Sequence, residues 1–107
     1  MKIDFSEQIR DMKGKPLTIK DGDEDRPMTL AHAAVEGLLS AYADEGPIDG
    51  TEKFRRYKLA VKVDNAEVVE LETEEVAKIK QLIAKRWAPL VVGRCFELIE
   101  NGRKVDA

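Results

Sequence analysis

The sequence predicts an α+β domain that is predominantly helical, with an N-terminal β-hairpin, about four short helices and one short central strand. Three observations lead there. Apolar residues recur at helical spacing in Leu30-Ala34-Leu38-Tyr42, in Phe54-Tyr57-Val61 and in Val76-Ile79-Ile83. Cap-forming residues, Thr29, Asp49 and Thr73, stand just ahead of these stripes. Before residue 28, and again at Val68-Val-Glu-Leu71, the pattern changes to the alternation and β-branching of strands. A chain of 107 residues is one domain. It divides into a hairpin and acidic turn over 1–28, a helical core over 29–102 and a frayed tail over 103–107.

The hairpin is read around Asp11-Met-Lys-Gly14, where Gly14 supplies the positive φ of a tight turn. Ile3 and Phe5 alternate on one side, and Leu17 and Ile19 alternate with Thr18 and Lys20 on the other. A one-turn helix capped at Ser6 is the competing reading, and one so short is marginal by itself. Asp21 to Pro27 follows as a polar turn. Thr29 then caps the first helix, which Gly46 and Pro47 are expected to stop near Ala43.

Asp49 and Glu52 have capping-box spacing for the second helix, with Asp in place of Ser or Thr. Phe54, Tyr57 and Val61 make its apolar stripe, although Leu59–Val63 also fits a strand. Asp64-Asn65 is a turn. Thr73 is expected to cap the third helix, with Glu74 and Glu75 at its positive end and Val76, Ile79, Leu82, Ile83 and Trp87 inward. Pro89 either kinks this helix or opens a fourth as its first residue. Leu90 to Ile99 is apolar on most sides, which assigns that helix to the centre of the core. Asn101-Gly102 is expected to end it.

Charge makes up 36% of the chain, which is soluble and globular in composition, with a net charge of −3. Acids outnumber bases 11 to 6 in residues 1–50, and bases outnumber acids 12 to 10 in residues 51–107. The acidic peak is Asp21, Asp23, Glu24 and Asp25. The basic peaks are Lys53, Arg55, Arg56, Lys58 and Lys62, then Lys78, Lys80, Lys85 and Arg86. Of these, Asp21, Asp23, Asp25, Lys53, Arg55, Arg56, Lys58, Lys78, Lys85 and Arg86 are the candidate interaction surface, set against the plainer reading of solvated faces. An acidic chain lacks the broad basic footprint of a dedicated nucleic-acid binder.

No pattern supplies a catalytic, cofactor or metal site. A calcium loop starting at Asp21 puts Arg26 where Gly belongs and His32 where the bidentate Glu belongs. One starting at Asp25 puts Pro27 and Thr29 at ligand positions. His32, the single histidine, has no nucleophile at a recognisable spacing. Cys95, the single cysteine, excludes an internal disulfide and a cysteine-based zinc site. It is expected to be a buried, inert thiol. Lys85-Arg-Trp87 and Lys53-Phe-Arg-Arg-Tyr57 interleave bases with rings as single-strand binders do, but their rings are assigned to the core. A helix-turn-helix over 73–101 fails because its second helix is nearly all apolar and cannot reach base edges. No glycine-rich phosphate loop is present in the sequence. No apolar run approaches the roughly 18 residues of a membrane span, and the opening Met1-Lys-Ile-Asp-Phe-Ser-Glu7 is too acidic for a signal peptide. The expectation is a cytoplasmic protein that is not an enzyme and takes no cofactor.

Met28-Thr-Leu-Ala-His-Ala-Ala-Val-Glu-Gly-Leu-Leu39, the Asp44-Glu45 turn, Glu52-Lys-Phe-Arg-Arg-Tyr-Lys-Leu-Ala-Val-Lys62 and Ala88-Pro-Leu-Val-Val-Gly93 together resemble small uncharacterised proteins encoded by tailed phages and prophages. Ile3-Asp-Phe-Ser6 and Gly14-Lys-Pro-Leu17 fit the same pattern. The resemblance implies a protein of phage origin in the host cytoplasm, with no activity attached. The leading expectation is a protein-interaction or assembly factor, with a homodimer as one arrangement. The alternative is a small nucleic-acid-binding regulator using the basic residues of the second half. An acidic DNA mimic is a third reading, for which −3 is a small charge.

Overall fold

The computed structural model describes the backbone of residues 1–105 and the side chains of residues 1–101. In chain order it contains β1 (Lys2–Asp4), β2 (Thr18–Asp21), β3 (Glu24–Pro27), α1 (Leu30–Leu39), a single 3₁₀ turn (Ala43–Glu45), α2 (Gly50–Val63), β4 (Val68–Glu70), α3 (Thr73–Arg86) and α4 (Pro89–Val105). The α+β, mostly helical class read from the sequence is the class of the fold.

The strands make two small antiparallel pairs. β1 pairs with β4, Ile3 opposite Val69, and two further bonds extend that ladder. Phe5 N–H donates to Glu67 O at 2.8 Å and Leu71 N–H to Met1 O at 2.8 Å. β2 pairs with β3 across Gly22-Asp23, with Asp21 opposite Glu24. The hairpin ladder therefore lies one reversal later than expected. Gly22 has φ +66°, the positive value a two-residue loop with glycine first requires. The Asp11–Gly14 reversal also forms, with Gly14 at φ +86°, but joins only an isolated bridge between Arg10 and Pro16. Asp11 organises it by accepting from the N–H groups of Lys13 at 2.8 Å and Lys15 at 3.0 Å. The bond from Lys15 N–H holds its carboxyl below the ordinary range.

The central helix is α1, not α4. Leu30, Ala31, Ala33, Ala34, Gly37 and Leu38 are all buried, and it packs against α2, α3 and α4. Its small residues allow this: a Cβ at Gly37 would sit 3.1 Å from the Leu82 carbonyl carbon and oxygen, so α3 crosses here backbone to backbone. α4 buries Cys95 and Ile99 but leaves Val91, Val92, Phe96 and Leu98 only partly covered. Charged side chains cover some of that face. The Lys80 ammonium lies 4.8 Å from the Phe96 ring centroid. The Arg94 guanidinium donates to Arg10 O at 3.2 Å and Asp11 O at 2.8 Å, fixing the N-terminal turn to α4.

Helix ends also depart from expectation. α1 stops at Leu39, four residues early, where Ser40 Oγ donates to Glu36 O at 2.6 Å and Tyr42 Oη returns to donate to Gly37 O at 2.6 Å. These bonds occupy carbonyls that a continued helix would have used. Asp49 caps α2 by accepting from Glu52 N–H at 2.9 Å, and Leu59–Val63 is helical. At α3 the cap is Glu72, one residue before Thr73, and its N–H donates to Glu75 Oε1 at 2.9 Å. Pro89 opens α4. The backbone continues helically through Asn101-Gly102 to Val105, since glycine inside a helix costs only about 1 kcal/mol. Of the tail expected to fray, 103–105 belong to that helix and 106–107 lie outside the described residues.

Candidate functional site

The core side of α2 consists of Arg56, Leu59, Ala60 and Val63. The stripe expected to be buried, Phe54, Tyr57 and Val61, faces solvent instead, with exposures of 58%, 56% and 58%. Both sets have helical spacing; the first contains the cation Arg56, and the second is flanked by Lys53, Arg55 and Lys58. Which set is buried depends on available carboxylates. Arg56, only 5% exposed, donates from Nη1 and Nη2 to the two oxygens of Glu45 at 2.9 and 2.6 Å, and from Nε to Glu52 Oε2 at 2.8 Å. A guanidinium so completely paired can enter a core edge where an unpaired one cannot. Hydrogen bonds from Arg56 lower the carboxyl of Glu45 to about 2 and that of Glu52 below its ordinary range. Lys78 reaches Glu52 at 3.1 Å, and Lys85 reaches Asp44 and Glu45 at 3.3 and 3.5 Å.

This corrects the candidate surface. Arg56 is inside, and Lys78 and Lys85 belong to its ion-pair network. Arg86 lies 4.0 Å from Glu36 and stacks on Trp87 at 4.2 Å from the ring centroid. Asp21 pairs with Arg26 at 2.5 Å and Asp25 with Lys20 at 3.0 Å along the β2–β3 hairpin, while Asp23 is exposed in its loop. Lys53, Arg55 and Lys58 remain. All three are exposed, and none makes an ion pair among the described residues. They surround two rings that stack on one another, Phe54 and Tyr57, with centroids 6.3 Å apart and planes 17° from parallel. Lys58 Nζ lies 5.4 Å from the centroid of Phe54.

The exposed face of α2 is thus a ridge with a depression on each side. One, of about 400 Å³, is lined by Leu38, Tyr42, Pro47, Ile48 and Lys53. The other, of about 530 Å³, lies between α2 and α3 and is lined by Arg55, Lys58, Lys62, Glu74 and Lys78.

The other residues singled out in the sequence do not assemble a reactive centre. His32 is half-buried, with its ring 6.2 Å from that of Trp87. Trp87 Nε1–H donates to Ala33 O at 3.0 Å. Cys95 is buried, and desolvation pushes its thiol up to about 12. Among the described residues, no three His, Cys, Asp or Glu side chains cluster so as to hold a metal ion, and no helix is long and apolar enough to cross a membrane. Every buried side-chain polar atom among them has a hydrogen-bond partner. We find no family model, no curated protein and no solved structure that matches this chain.

Proposed function

We propose that this chain is a non-enzymatic protein-interaction module whose contact element is the outer face of α2. One observation carries the reading: Phe54, Tyr57 and Val61 stand more than half exposed together on one helix, whereas the other large apolar side chains so exposed, Met12, Leu39 and Val68, are spread over three other parts of the chain. Clustered exposed apolar residues mark interaction sites more often than chance surface. Aromatic residues also dominate binding energy at interfaces. Following the resemblance of the sequence to small phage and prophage proteins, we read the module as an accessory or assembly factor acting in the host cytoplasm.

The test compares the tagged full chain with its Phe54→Ser/Tyr57→Ser variant in affinity capture from a lysate of the producing cell, with and without nuclease. The reading expects a stoichiometric protein that survives nuclease and is lost with the variant. Identical captures by both chains would overturn it.

A second reading, binding of single-stranded nucleic acid, draws on Lys53, Arg55 and Lys58 beside two exposed rings. It expects a fluorescent oligo-dT strand to bind with an affinity that falls steeply with salt. No binding at physiological ionic strength would reject it. The ridge favours protein, because its apolar anchors stand on a convex helix face and Lys58 already covers a face of Phe54.

A further inference from the structure

Among the described residues of the second half, cations elsewhere are neutralised where they stand. The other lysines and arginines between residues 56 and 94 all lie within 4.0 Å of a carboxylate. Among the described residues of this half only Lys53, Arg55 and Lys58 escape, and they bracket the exposed stripe. The single carboxylate within α2, Glu52, is turned away toward Arg56 and Lys78. The outer face therefore offers apolar anchors at i, i+3 and i+7 beside three unpaired cations of α2, with Glu74 of α3 across the depression that Arg55 and Lys58 line.

This charge pattern selects the occupant. A second copy docking α2 on α2 would bring the same patch against itself, as a two-fold interface must, and crowd the three unpaired cations of each copy together with no α2 carboxylate facing them. Like charges brought together in this way work against association. Anchors at these spacings on one helix are the pattern of a helix laid into an apolar groove. We infer that the partner is a different protein, presenting an apolar groove that takes Phe54, Tyr57 and Val61 and is rimmed by Asp or Glu side chains opposite Lys53, Arg55 and Lys58. This rests on the interaction-module reading above.

Zero-length carbodiimide coupling tests the rim directly, because it joins a lysine amine only to a carboxylate in contact with it. The full chain is captured with its partner, the complex is coupled, and the joined peptides are identified by mass spectrometry. The expected product links Lys53 or Lys58 to an Asp or Glu of the partner. In parallel, Lys53→Glu/Arg55→Glu/Lys58→Glu should weaken the purified complex about tenfold or more. Phe54→Ser/Tyr57→Ser should weaken it about 30-fold or more. All these positions are exposed, and unchanged circular dichroism and melting verify that the variants fold.

Loss with the aromatic variant alone, with coupling through other lysines only, overturns the acidic rim and leaves the module standing. Affinity unmoved by either variant, or no captured partner, overturns both. Capture abolished by nuclease assigns the ridge to nucleic acid and also overturns both. Concentration-dependent dimerisation abolished by the aromatic variant would assign the ridge to a second copy and overturn the acidic-groove partner.

Discussion

The guanidinium of Arg56 and the carboxylate of Glu45 meet side by side, Nη1 to Oε1 at 2.9 Å and Nη2 to Oε2 at 2.6 Å. This two-point contact ties the 3₁₀ turn after α1 to the middle of α2 and orients the helix about its own axis. Removing one member of a buried ion pair leaves the other desolvated and unpaired, which costs more than the pair itself contributes. Arg56→Met should therefore destabilise by about 3 kcal/mol, with Lys85 and Lys78 compensating part of the lost charge. Arg55→Met, on the exposed neighbour, should change stability by less than about 0.5 kcal/mol. Urea unfolding of the two variants checks this, and equal effects would contradict the buried role of Arg56.

The same contact makes stability depend on acid. Hydrogen bonding to Arg56 holds Glu45 at about 2 in the folded chain, against an ordinary value of 4.5. A carboxyl depressed on folding contributes stability that is fully present above the ordinary value and is lost as the pH falls toward the folded one. Glu52 is depressed in the same direction, first of all by Arg56. The stability difference between the wild type and Glu45→Gln should thus be constant from neutral pH to about 5 and shrink between 4.5 and about 2. Unfolding midpoints of both chains across that window provide the measurement. A difference that does not change with pH would assign the contact to shape alone.

Gly37 is needed for the closeness of α1 and α3. An added Cβ would approach the Leu82 carbonyl carbon and oxygen at 3.1 Å and Ile83 N at 3.2 Å. These are backbone atoms, so relief requires the helices to part. Gly37→Ala gains up to about 1 kcal/mol of helix propensity but incurs roughly 1–3 kcal/mol of overpacking. Parting would also strain the Tyr42 hydroxyl, which lies 2.6 Å from Gly37 O and 3.3 Å from Leu82 O. A net loss of about 1 kcal/mol is expected from these opposing effects. A rise in melting temperature would show that the two helix backbones do not touch at this crossing.

Cys95 should be silent toward thiol reagents. It lies in the buried part of α4, and desolvation pushes its thiol to about 12, so almost no thiolate exists at neutral pH. Native protein mixed with a chromogenic disulfide should react only as fast as it unfolds, and completely in denaturant. Rapid reaction of folded protein would contradict the packing of α4.

Some features that depend on neighbouring residues were legible in the sequence, although the cap of α3 falls on Glu72 and α4 runs past Gly102, and those decided by distant contacts were not. Thr29 and Asp49 cap as their chemistry implies, because the groups they satisfy lie three residues away. Pro89 opens α4 for the same local reason. β1 pairs with β4 across more than sixty residues, and no local pattern announces that partner. The Gly22-Asp23 loop carried its hairpin signal openly, but its acidity suggested a solvated turn. The apolar run of α4 suggested a central helix, yet the centre went to α1, whose alanines and Gly37 permit a closer approach than bulkier side chains allow. The candidate site was misread for a comparable reason. Phe54 and Tyr57 look like core from composition, and only Glu45, eleven residues from Arg56, reveals which side of α2 turns inward.

That orientation can be tested on stability alone, without a partner. If α2 faces inward through Leu59 and Val63, Leu59→Ala should cost about 2–4 kcal/mol, the range for emptying a buried aliphatic site. Phe54→Ser and Tyr57→Ser remove larger side chains but should each cost only about 1 kcal/mol or less, the value of a surface aromatic pair, because more than half of either residue stays in water. Volume lost and stability lost should therefore run in opposite order along the same helix. Thermal or urea unfolding of the three variants provides the comparison. A large loss at Phe54 or Tyr57 with a small one at Leu59 would turn the helix over, return the rings to the core and remove the ridge on which the interaction reading stands.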